Sequence, residues 1–315
     1  MTALTALLQK AWIWSFVGAF LVWLATTLYV GGAAGAAILS TALSFATFTV
    51  IVGIGQMFVI TTGPGNVDLS IPATISFSGA VAMKLMDGAN AMLPVGIAAA
   101  LACGLGVGLF NYMLIRLLRI PPIIATLSSS FLILSTAIAY GRGLKIKPPP
   151  LLADFATARV LGVPVLALVI LVFSGVMAVI LHRTVYGRAV QAVGQNPRAA
   201  WLAGLNVERV RLITYVLSAV LAAICGLVLS GFSGGASLNM GQEYLLASIA
   251  VVVVGGTSVA GGKANVPGIW GAAMFMFLLV TMLNTFGASA GVRLILTGLI
   301  IVAVITIAGG DTSER

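Results

Sequence analysis

Charged side chains are scarce in this sequence. Only 7% of its 315 residues are Asp, Glu, Lys or Arg, whereas a soluble domain carries roughly 25%. The residues that most enzymes use are also few, with seven acidic residues, one histidine and two cysteines. No polar stretch is longer than the loop over residues 186–211, which leaves no room for a separate soluble domain. We therefore interpret residues 1–315 as a single membrane domain without catalytic residues.

The few reactive side chains do not form a metal, disulfide or nucleotide site. Cys103 and Cys225 both fall inside apolar runs, which argues against a disulfide framework and a zinc site. The single histidine lies at the end of a predicted span. The glycine-rich run that ends at Lys263 is not a phosphate-binding loop, because Thr257 and Ala264 occupy its outer positions. We expect this chain to bind no metal and no cofactor.

What the sequence has in abundance is apolar sequence in long runs. It is 60% hydrophobic, and its mean hydropathy is +1.16. A membrane-spanning helix needs roughly 17–25 such residues, and the chain divides into about ten runs of this kind. We therefore predict an all-α polytopic membrane protein. The predicted spans are Trp12–Val30, Ile38–Thr62, Ser70–Met86, Met92–Ile115, Pro122–Tyr140, Val163–Leu181, Leu212–Gly231, Tyr244–Gly256, Val266–Phe286 and Val292–Ala308.

Lysine and arginine residues predict the orientation of these spans. The basic residues stand singly in the loops and not in runs with aromatics, so the formal net charge of +9 does not indicate nucleic-acid binding. If the N-terminus lies inside, ten of the 16 basic residues fall in inner segments and six in outer segments. Inner loops of membrane proteins are enriched in these residues. We predict that both termini and the loop 186–211 are cytoplasmic.

The loop 186–211 encodes a short helix with both of its ends. Asn196 is a good N-cap, and Pro197 suits the first helical position. Gly204 can adopt the left-handed conformation that ends a helix, and Asn206 can cap the next one. The helix-favouring residues in between include Arg198, Ala199, Ala200 and Trp201. Such a rigid helix either docks onto a partner that pushes it or lies on the lipid surface.

Two other segments interrupt apolar sequence with glycine and proline. Gly63–Pro72 and Gly255–Lys263 each follow a Val/Ile-rich run and precede a helix that starts with proline, which makes a weak internal repeat. Breaks in corresponding positions of two halves predict discontinuous or re-entrant backbone that lines a cavity. Two ordinary tight turns are the alternative. Asp68 lies in the first break, where it is either a functional group or, like Ser70, a helix N-cap.

Polar residues inside the predicted spans are candidates for contact with a solute. Glutamine and asparagine are costly to bury without a partner, whereas serine and threonine more often pack helices together. The candidate pathway residues are Gln56, Asp68, Ser70, Asn111, Thr126 and Asn284.

Four segments along the chain together match one family pattern: GQMFVITTGPGNVDLSIPATISFSGAVA, RIPPIIATLSSSFLILSTAIAYGRG, TVYGRAVQAVGQNPRAAWLAGLNVERVRLITYVLSAVLAAICG and AVVVVGGTSVAGGKANVPGIWGA. In this order they resemble the permeases of bacterial ATP-binding cassette (ABC) importers for ribose, xylose and arabinose. These permeases belong to a superfamily for monosaccharides and branched-chain amino acids. The chain differs from the family pattern at Pro72 and Ala264, where glycine is usual.

The resemblance implies a permease subunit of the bacterial inner membrane that imports a small polar solute, above all a monosaccharide. It implies a cytoplasmic ABC ATPase that binds ATP and Mg²⁺, a periplasmic solute-binding protein, and a second permease copy or sister permease. It also assigns the helix from Pro197 to Gly204 as the coupling helix that contacts the ATPase. A permease for nucleosides or branched-chain amino acids is an alternative. An ion-coupled secondary transporter would need acidic residues in mid-span, which the sequence lacks.

Overall fold

Nearly all regular structure is helical in the computed structural model, which describes residues 12–141, 146–289, 291–296, 298, 299 and 302. A short 3₁₀ helix, Asn90–Met92, and a hairpin of two-residue strands, β1 (Arg159–Val160) and β2 (Val163–Pro164), accompany the α-helices. The α-helices are α1 Ile13–Tyr29, α2 Gly35–Thr61, α3 Ile71–Met86, α4 Leu93–Leu117, α5 Pro122–Gly141, α6 Pro150–Thr157, α7 Val165–Arg183, α8 Val185–Gln195, α9 Pro197–Leu202, α10 Val207–Phe232, α11 Tyr244–Val254 and α12 Val266–Thr285.

The helices agree with the predicted polytopic membrane fold. Within the described residues, six are long and apolar enough to cross a membrane, namely α2, α4 with its 3₁₀ turn, α5, α7, α10 and α12. The apolar helices α1, α3 and α11 are shorter. These nine match predicted spans to within five residues at each end, whereas Val292–Ala308 lies mostly outside the described residues. The all-α membrane fold is confirmed, and the count of ten spans stays a prediction. The sequence does not predict α6, α8 or the hairpin.

The helices run between two ends of the bundle. At the end that we call the loop end, α8 lies beside the turn that follows α11, and Gly256 of that turn packs against Trp12. At the opposite end, the hairpin end, the Ser40 hydroxyl donates to the carbonyl of Gly162 at 2.6 Å. The start of α1 and the loop 186–211 therefore share one end, as the predicted orientation requires. Which compartment this end faces stays a prediction.

Helix α2 forms the centre of the core. Every residue from Val50 to Thr61 is buried. Helix α10 packs against α2, α3 and α4. It approaches α4 so closely that a Cβ on Gly104 would lie 2.7 Å from the Cα of Val220, an approach that small residues permit in membrane helices. On the outside, α5 and α7 present large apolar side chains such as Phe131, 64% exposed, and Val172, 70% exposed. These surfaces suit contact with lipid.

Two helices begin inside the bundle, each after a non-helical segment. The segment 62–70 enters from the loop end and places Asp68 against Ser218, 11 residues into α10, before α3 begins. The segment 233–243 enters from the hairpin end, and its Gly241 packs against the backbone of Pro72 before α11 begins. α3 and α11 then run to opposite ends. The two non-helical segments are therefore related in an inverted sense, which is common in transporters.

This arrangement corrects the predicted repeat. Gly255–Lys263 is non-helical, as predicted, but it forms a turn at the loop end in which Val259 is 55% exposed. The segment that penetrates the second half of the bundle is instead 233–243. The sequence pattern obscured it because this segment carries no proline, and its glycines fall between two apolar runs as in an ordinary loop.

Candidate functional site

The loop 186–211 contains two helices and the first turn of α10. Thr184 is the N-cap of helix α8, and its hydroxyl accepts a hydrogen bond from the N–H of Gly187 at 3.1 Å. One face of α8 buries Val190 and Val193 in the main core. Burial raises the pKa of the Tyr186 phenol to about 12, so this group stays protonated near neutral pH. Its oxygen lies 2.9 Å from the Thr214 hydroxyl and joins α8 to α10.

Helix α9 has the caps that the sequence predicts. The side-chain oxygen of Asn196 accepts hydrogen bonds from the N–H groups of Arg198 and Ala199, both at 3.0 Å. Gly204 has a φ of +87°, and the N–H of Leu205 donates to the carbonyl of Ala200 at 3.0 Å. This is the bond pattern of a helix that ends in a left-handed glycine. The capped helix is therefore confirmed, and its role as a coupling helix stays a prediction.

The outward face of α9 does not include Ala200, although this residue belongs to the predicted coupling helix. Ala200 is only 5% exposed and packs in the main core, so its side chain does not contribute to an external surface. Trp201 and Leu202 are 65% and 73% exposed. Helical spacing turns residue 200 inward once α8 packs on the bundle, and the sequence alone does not set that rotation. The surface available to a partner is therefore aromatic and apolar, with exposed Arg198 beside it.

A cleft of about 680 Å³ lies between α9, the start of α10 and the end of α4. One carboxylate oxygen of Glu208 in this cleft is paired: Arg116 Nε lies 2.9 Å from it, and the Tyr112 hydroxyl donates to the same oxygen at 2.6 Å. Arg198 and Arg211 also line the cleft. The Nε of Arg211 is buried and lacks a hydrogen-bond partner among the described residues. The cleft therefore carries an excess of positive charge.

The end of α8 touches both glycine-rich breaks at one point. A Cβ on Gly194 would overlap the carbonyl oxygen of Thr61 and the backbone nitrogen of Gly262. Those two atoms are joined by a hydrogen bond of 3.0 Å. A Cβ on Gly261 would lie 2.6 Å from the Cα of Gly63. We call Thr61, Gly63, Gly194, Gly261 and Gly262 the glycine contact. It connects the residues just before α9 to the segments that follow α2 and α11.

Five of the six predicted pathway residues form one buried network around Asp68. One carboxylate oxygen of Asp68 accepts from the backbone N–H of Ser70 at 3.0 Å and from its hydroxyl at 2.6 Å, and the other accepts from the Ser218 hydroxyl at 2.8 Å. Asn111 donates to the Ser70 hydroxyl at 2.7 Å. The Ser129 hydroxyl also donates to Asn111. The network ties α3, α4, α5 and α10 together.

Residues of the same network also accept hydrogen bonds from backbone N–H groups of the segment 62–70. The N–H of Asp68 donates to the side-chain oxygen of Gln56 at 3.2 Å, and the N–H of Leu69 donates to the Thr126 hydroxyl at 3.1 Å. Gln56, Asp68, Ser70, Asn111 and Thr126 are all at most 1% exposed. In this conformation they hold the re-entrant segment in place. Contact between them and a solute stays a prediction. The Nε2 atom of Gln56 lacks a hydrogen-bond partner among the described residues.

The remaining candidate lies elsewhere. Asn284 is exposed near the end of α12, where its side-chain oxygen accepts from Arg293. A further polar group, which the sequence did not predict, lies just before α11, where the side chains of Asn239, Gln242 and Glu243 are exposed. One signal was available: the apolar run that follows Glu243 forms a helix of only 11 residues, too short to span a membrane.

Comparison with known proteins places this architecture in a family. Residues 38–305 match the family described as branched-chain amino acid transport system / permease component. The chain is 30% identical over 262 residues to the ribose import permease protein of Escherichia coli (strain K12), covering 82% of this chain and 81% of that protein. It is 30% identical over 255 residues to the ribose import permease protein of Bacillus subtilis (strain 168), covering 80% and 78%.

A third relative is the fructose import permease protein of Rhizobium meliloti, 31% identical over 274 residues, with 82% of this chain and 73% of that protein covered. No solved structure gave a significant match. The resemblance drawn from the four sequence segments is thus confirmed. With its apolar helices, the chain is a multi-pass integral membrane protein, in bacteria of the inner membrane, and it belongs to the family of branched-chain amino acid transport system permease components.

Proposed function

We propose that this chain is the permease subunit of an ABC importer that carries a monosaccharide across the bacterial inner membrane. The observation that carries the proposal is the alignment of about four fifths of the chain with import permeases named for ribose and for fructose, both monosaccharides. These names favour a sugar over the nucleosides and branched-chain amino acids that the wider superfamily also transports. The chain is a transport subunit, and ATP and Mg²⁺ bind to its partner ATPase.

The ATPase docks on α9 and the cleft beside it. Exposed Trp201 and Leu202 supply an apolar anchor on a short helix that its caps hold rigid, and buried aromatic residues often dominate the binding energy of an interface. Arg198 and Arg211 add positive charge that a carboxylate of the partner would neutralise. Exposed aromatic and apolar side chains of this size outside the bundle are otherwise unfavourable, which supports a protein partner.

Force from the ATPase then reaches the bundle through the glycine contact. α9 follows α8 after a single residue, Asn196, so a displacement of α9 moves the end of α8. Gly194 is packed directly on Thr61 and Gly262. Thr61 leads into the segment 62–70, and Gly262 lies in the turn after α11. A two-state movement of the ATPase therefore has a continuous mechanical route to the two discontinuous parts of the bundle.

The remaining partners bind at the other surfaces. A periplasmic solute-binding protein delivers the sugar to the hairpin end, and a second copy of the chain, or a sister permease, completes the pathway. An ion-coupled transporter is less well supported, because the buried acid Asp68 already accepts hydrogen bonds from Ser70 and Ser218.

Co-purification tests the docking surface. The chain is produced together with the ABC ATPase of its importer, and the affinity of the two is measured in detergent. Trp201→Ala should weaken the complex by about tenfold or more, since interface tryptophans often contribute 2 kcal/mol or more. Leu161→Ala is the matched control, because Leu161 is fully exposed at the hairpin end. Equal affinities for wild type, Trp201→Ala and the control would contradict docking at α9.

Cysteine labelling tests the orientation. Ala199 is exposed on α9, so Ala199→Cys in a background without Cys103 and Cys225 provides a single external thiol at the loop end. An impermeant thiol reagent should fail to label it in intact cells and should label it in inverted vesicles. Labelling in intact cells would show that the loop end faces the periplasm.

A further inference from the structure

We propose that Asn239, Gln242 and Glu243 form a solute-contact site on the translocation pathway, on the face of the bundle that a second copy of the chain covers. This inference rests on the proposed function, because it names the residues that the imported solute touches. It differs from the predicted pathway, of whose six residues five are buried within one subunit.

The depth of the three residues in the membrane is the first argument. They lie just before α11, whose 11 residues extend about 16 Å to the loop end. The hydrocarbon core is about 30 Å thick, so the start of α11 lies near its middle. Gly241 contacts Pro72 at the start of α3, whose 16 residues extend about 24 Å to the hairpin end. Both helices therefore place residues 239–243 in the interior of the membrane.

The direction of the side chains is the second argument. Met240 and Gly241 face inward: the Ser230 hydroxyl lies 3.7 Å from the Met240 sulfur, and Gly241 packs on α3. Asn239, Gln242 and Glu243 are exposed. The Gln242 amide donates to the side-chain oxygen of Asn239 at 3.3 Å. The Glu243 carboxylate makes no hydrogen bond or ion pair with any residue in the described part of the chain.

An exposed carboxylate and two amides at this depth do not face lipid. Ionisable residues within membrane segments face the bundle interior, a water-filled cavity or a partner. The surfaces of this chain that suit lipid contact are of a different kind, with exposed apolar side chains such as Phe131 and Val172. The face with Glu243 must therefore border water. A second copy would close that space, and Leu246, 70% exposed one turn beyond Glu243, offers an apolar contact for it.

The chemistry of the site indicates a neutral polyhydroxyl solute. A carboxylate accepts hydrogen bonds from neighbouring hydroxyl groups, and the amides both donate and accept. In a symmetric pair of subunits the same residues occur twice around the two-fold axis. Two carboxylates in one space repel anions, so phosphorylated sugars and organic acids are disfavoured. The site thus suits an uncharged sugar.

Water accessibility tests the pathway without knowledge of the solute. Gln242→Cys and Glu243→Cys are made in the background without Cys103 and Cys225, reconstituted as the full permease in liposomes, and treated with an impermeant methanethiosulfonate reagent. Because the thiolate is the reactive form, a thiol in contact with water should react at least about tenfold faster than one at Val172→Cys on the lipid-facing surface. Rates as slow as that of Val172→Cys would overturn the proposal.

Transport tests the contact with sugar. Glu243→Gln keeps the shape of the side chain, and Asp154→Asn is the control, because Asp154 is an exposed acid on α6. Both are assembled with the ATPase and the solute-binding protein, and uptake of D-ribose and D-fructose is measured. Glu243→Gln should lower uptake about tenfold through weaker hydrogen bonds to the solute, with ATPase binding unchanged. Unchanged uptake in Glu243→Gln would overturn the contact.

The two experiments separate the failure of this proposal from that of the proposed function. If the wild-type chain forms no complex with the ATPase, the proposed function fails, whatever the labelling shows. If the complex forms and neither sugar is taken up, the monosaccharide assignment fails and the labelling rates still decide whether this face borders the pathway. Fast labelling supports that placement, and slow labelling overturns it.

Discussion

Two segments enter the bundle, 62–70 and 233–243, and they differ in whether their polar side chains are buried or exposed. In the first, Asp68 and its neighbours are buried, and most of their polar atoms have partners. In the second, Gln242 and Glu243 point outward, and Glu243 has no partner among the described residues. The sequence marks the first segment far more strongly, with its prolines, glycines and acid.

The comparison shows that polarity within a membrane segment does not by itself indicate contact with a solute. A buried polar group is stabilising when its hydrogen bonds are made inside one subunit, and such a group specifies the fold. A polar group at the same depth that remains exposed requires water or a partner beside it. The distinction depends on which way a side chain faces, and only the packed structure decides that.

Removal of the Asp68 carboxylate should have the largest effect on stability. Asp68→Ala leaves Ser70, Ser218 and the backbone of the re-entrant segment without acceptors, at a cost of about 3 kcal/mol or more. We expect the melting temperature in detergent to fall on the order of 5–10 °C. Glu243→Ala, its counterpart in the other segment, should melt within about 1 °C of wild type. Equal losses in the two variants would remove the distinction between the segments.

A methyl group at the glycine contact should abolish coupling. Gly194→Ala places a Cβ on the carbonyl oxygen of Thr61 and must separate α8 from both breaks. We expect uptake and solute-stimulated ATP hydrolysis to fall by about tenfold or more, because packed elements do not absorb such a displacement. Gly175→Ala on α7 is the matched control, since a Cβ there meets nothing within 4 Å. Wild-type stimulation in Gly194→Ala would show that force reaches the bundle by another route.

A change at the end of α9 should have an intermediate effect. Gly204 has a φ of +87°, and valine in that conformation costs about 1–2 kcal/mol. Gly204→Val should change the direction in which the chain enters α10 and lower transport several-fold, while the chain still inserts into the membrane and dimerises. Ala203→Val tests the added bulk alone, because Ala203 is exposed and has a negative φ. If both variants transport like wild type, α9 is only a surface helix.

Loss of a single hydroxyl in the network should have the smallest effect. Thr126→Val keeps the shape of the side chain and removes the acceptor of the Leu69 N–H, which should lower stability by about 1 kcal/mol. Transport per folded molecule should be unchanged. Thr136→Val is the control, because the Thr136 hydroxyl is exposed and bonds only within its own helix. Lost transport with an unchanged melting temperature would instead assign Thr126 to solute contact.

The sequence predicts the local features of this fold better than its global ones. Nine of the ten predicted span positions and the caps at Asn196, Gly204 and Asn206 follow from hydropathy and from the conformational preferences of single residues, and the structure confirms them. The inward rotation of Ala200 and the convergence of Gly63, Gly194 and Gly262 depend on tertiary packing. No local pattern encodes such contacts between distant segments.

For a related reason, the sequence did not predict that Glu243 lies inside the bundle. Hydropathy places it in a loop between two apolar runs, and loops are assumed to lie outside the membrane. The apolar run after it forms a helix of only 11 residues, which is too short to span the membrane, so the loop before this helix must enter the bundle. The short length of the helix therefore indicates that the loop enters the bundle. Only the contact between Gly241 and Pro72 shows from which end it enters.

The close seam between α4 and α10 has a consequence for the range of movement in this protein. With Gly104 set against Val220, and Arg116 paired with Glu208 at 2.9 Å, the two helices are joined at two levels and should turn together as one stiff lever. α10 begins five residues after α9 ends, and its 26 residues extend about 39 Å to the hairpin end. A small rotation at α9 would thus produce a larger displacement of the far end of α10, at the opposite membrane surface.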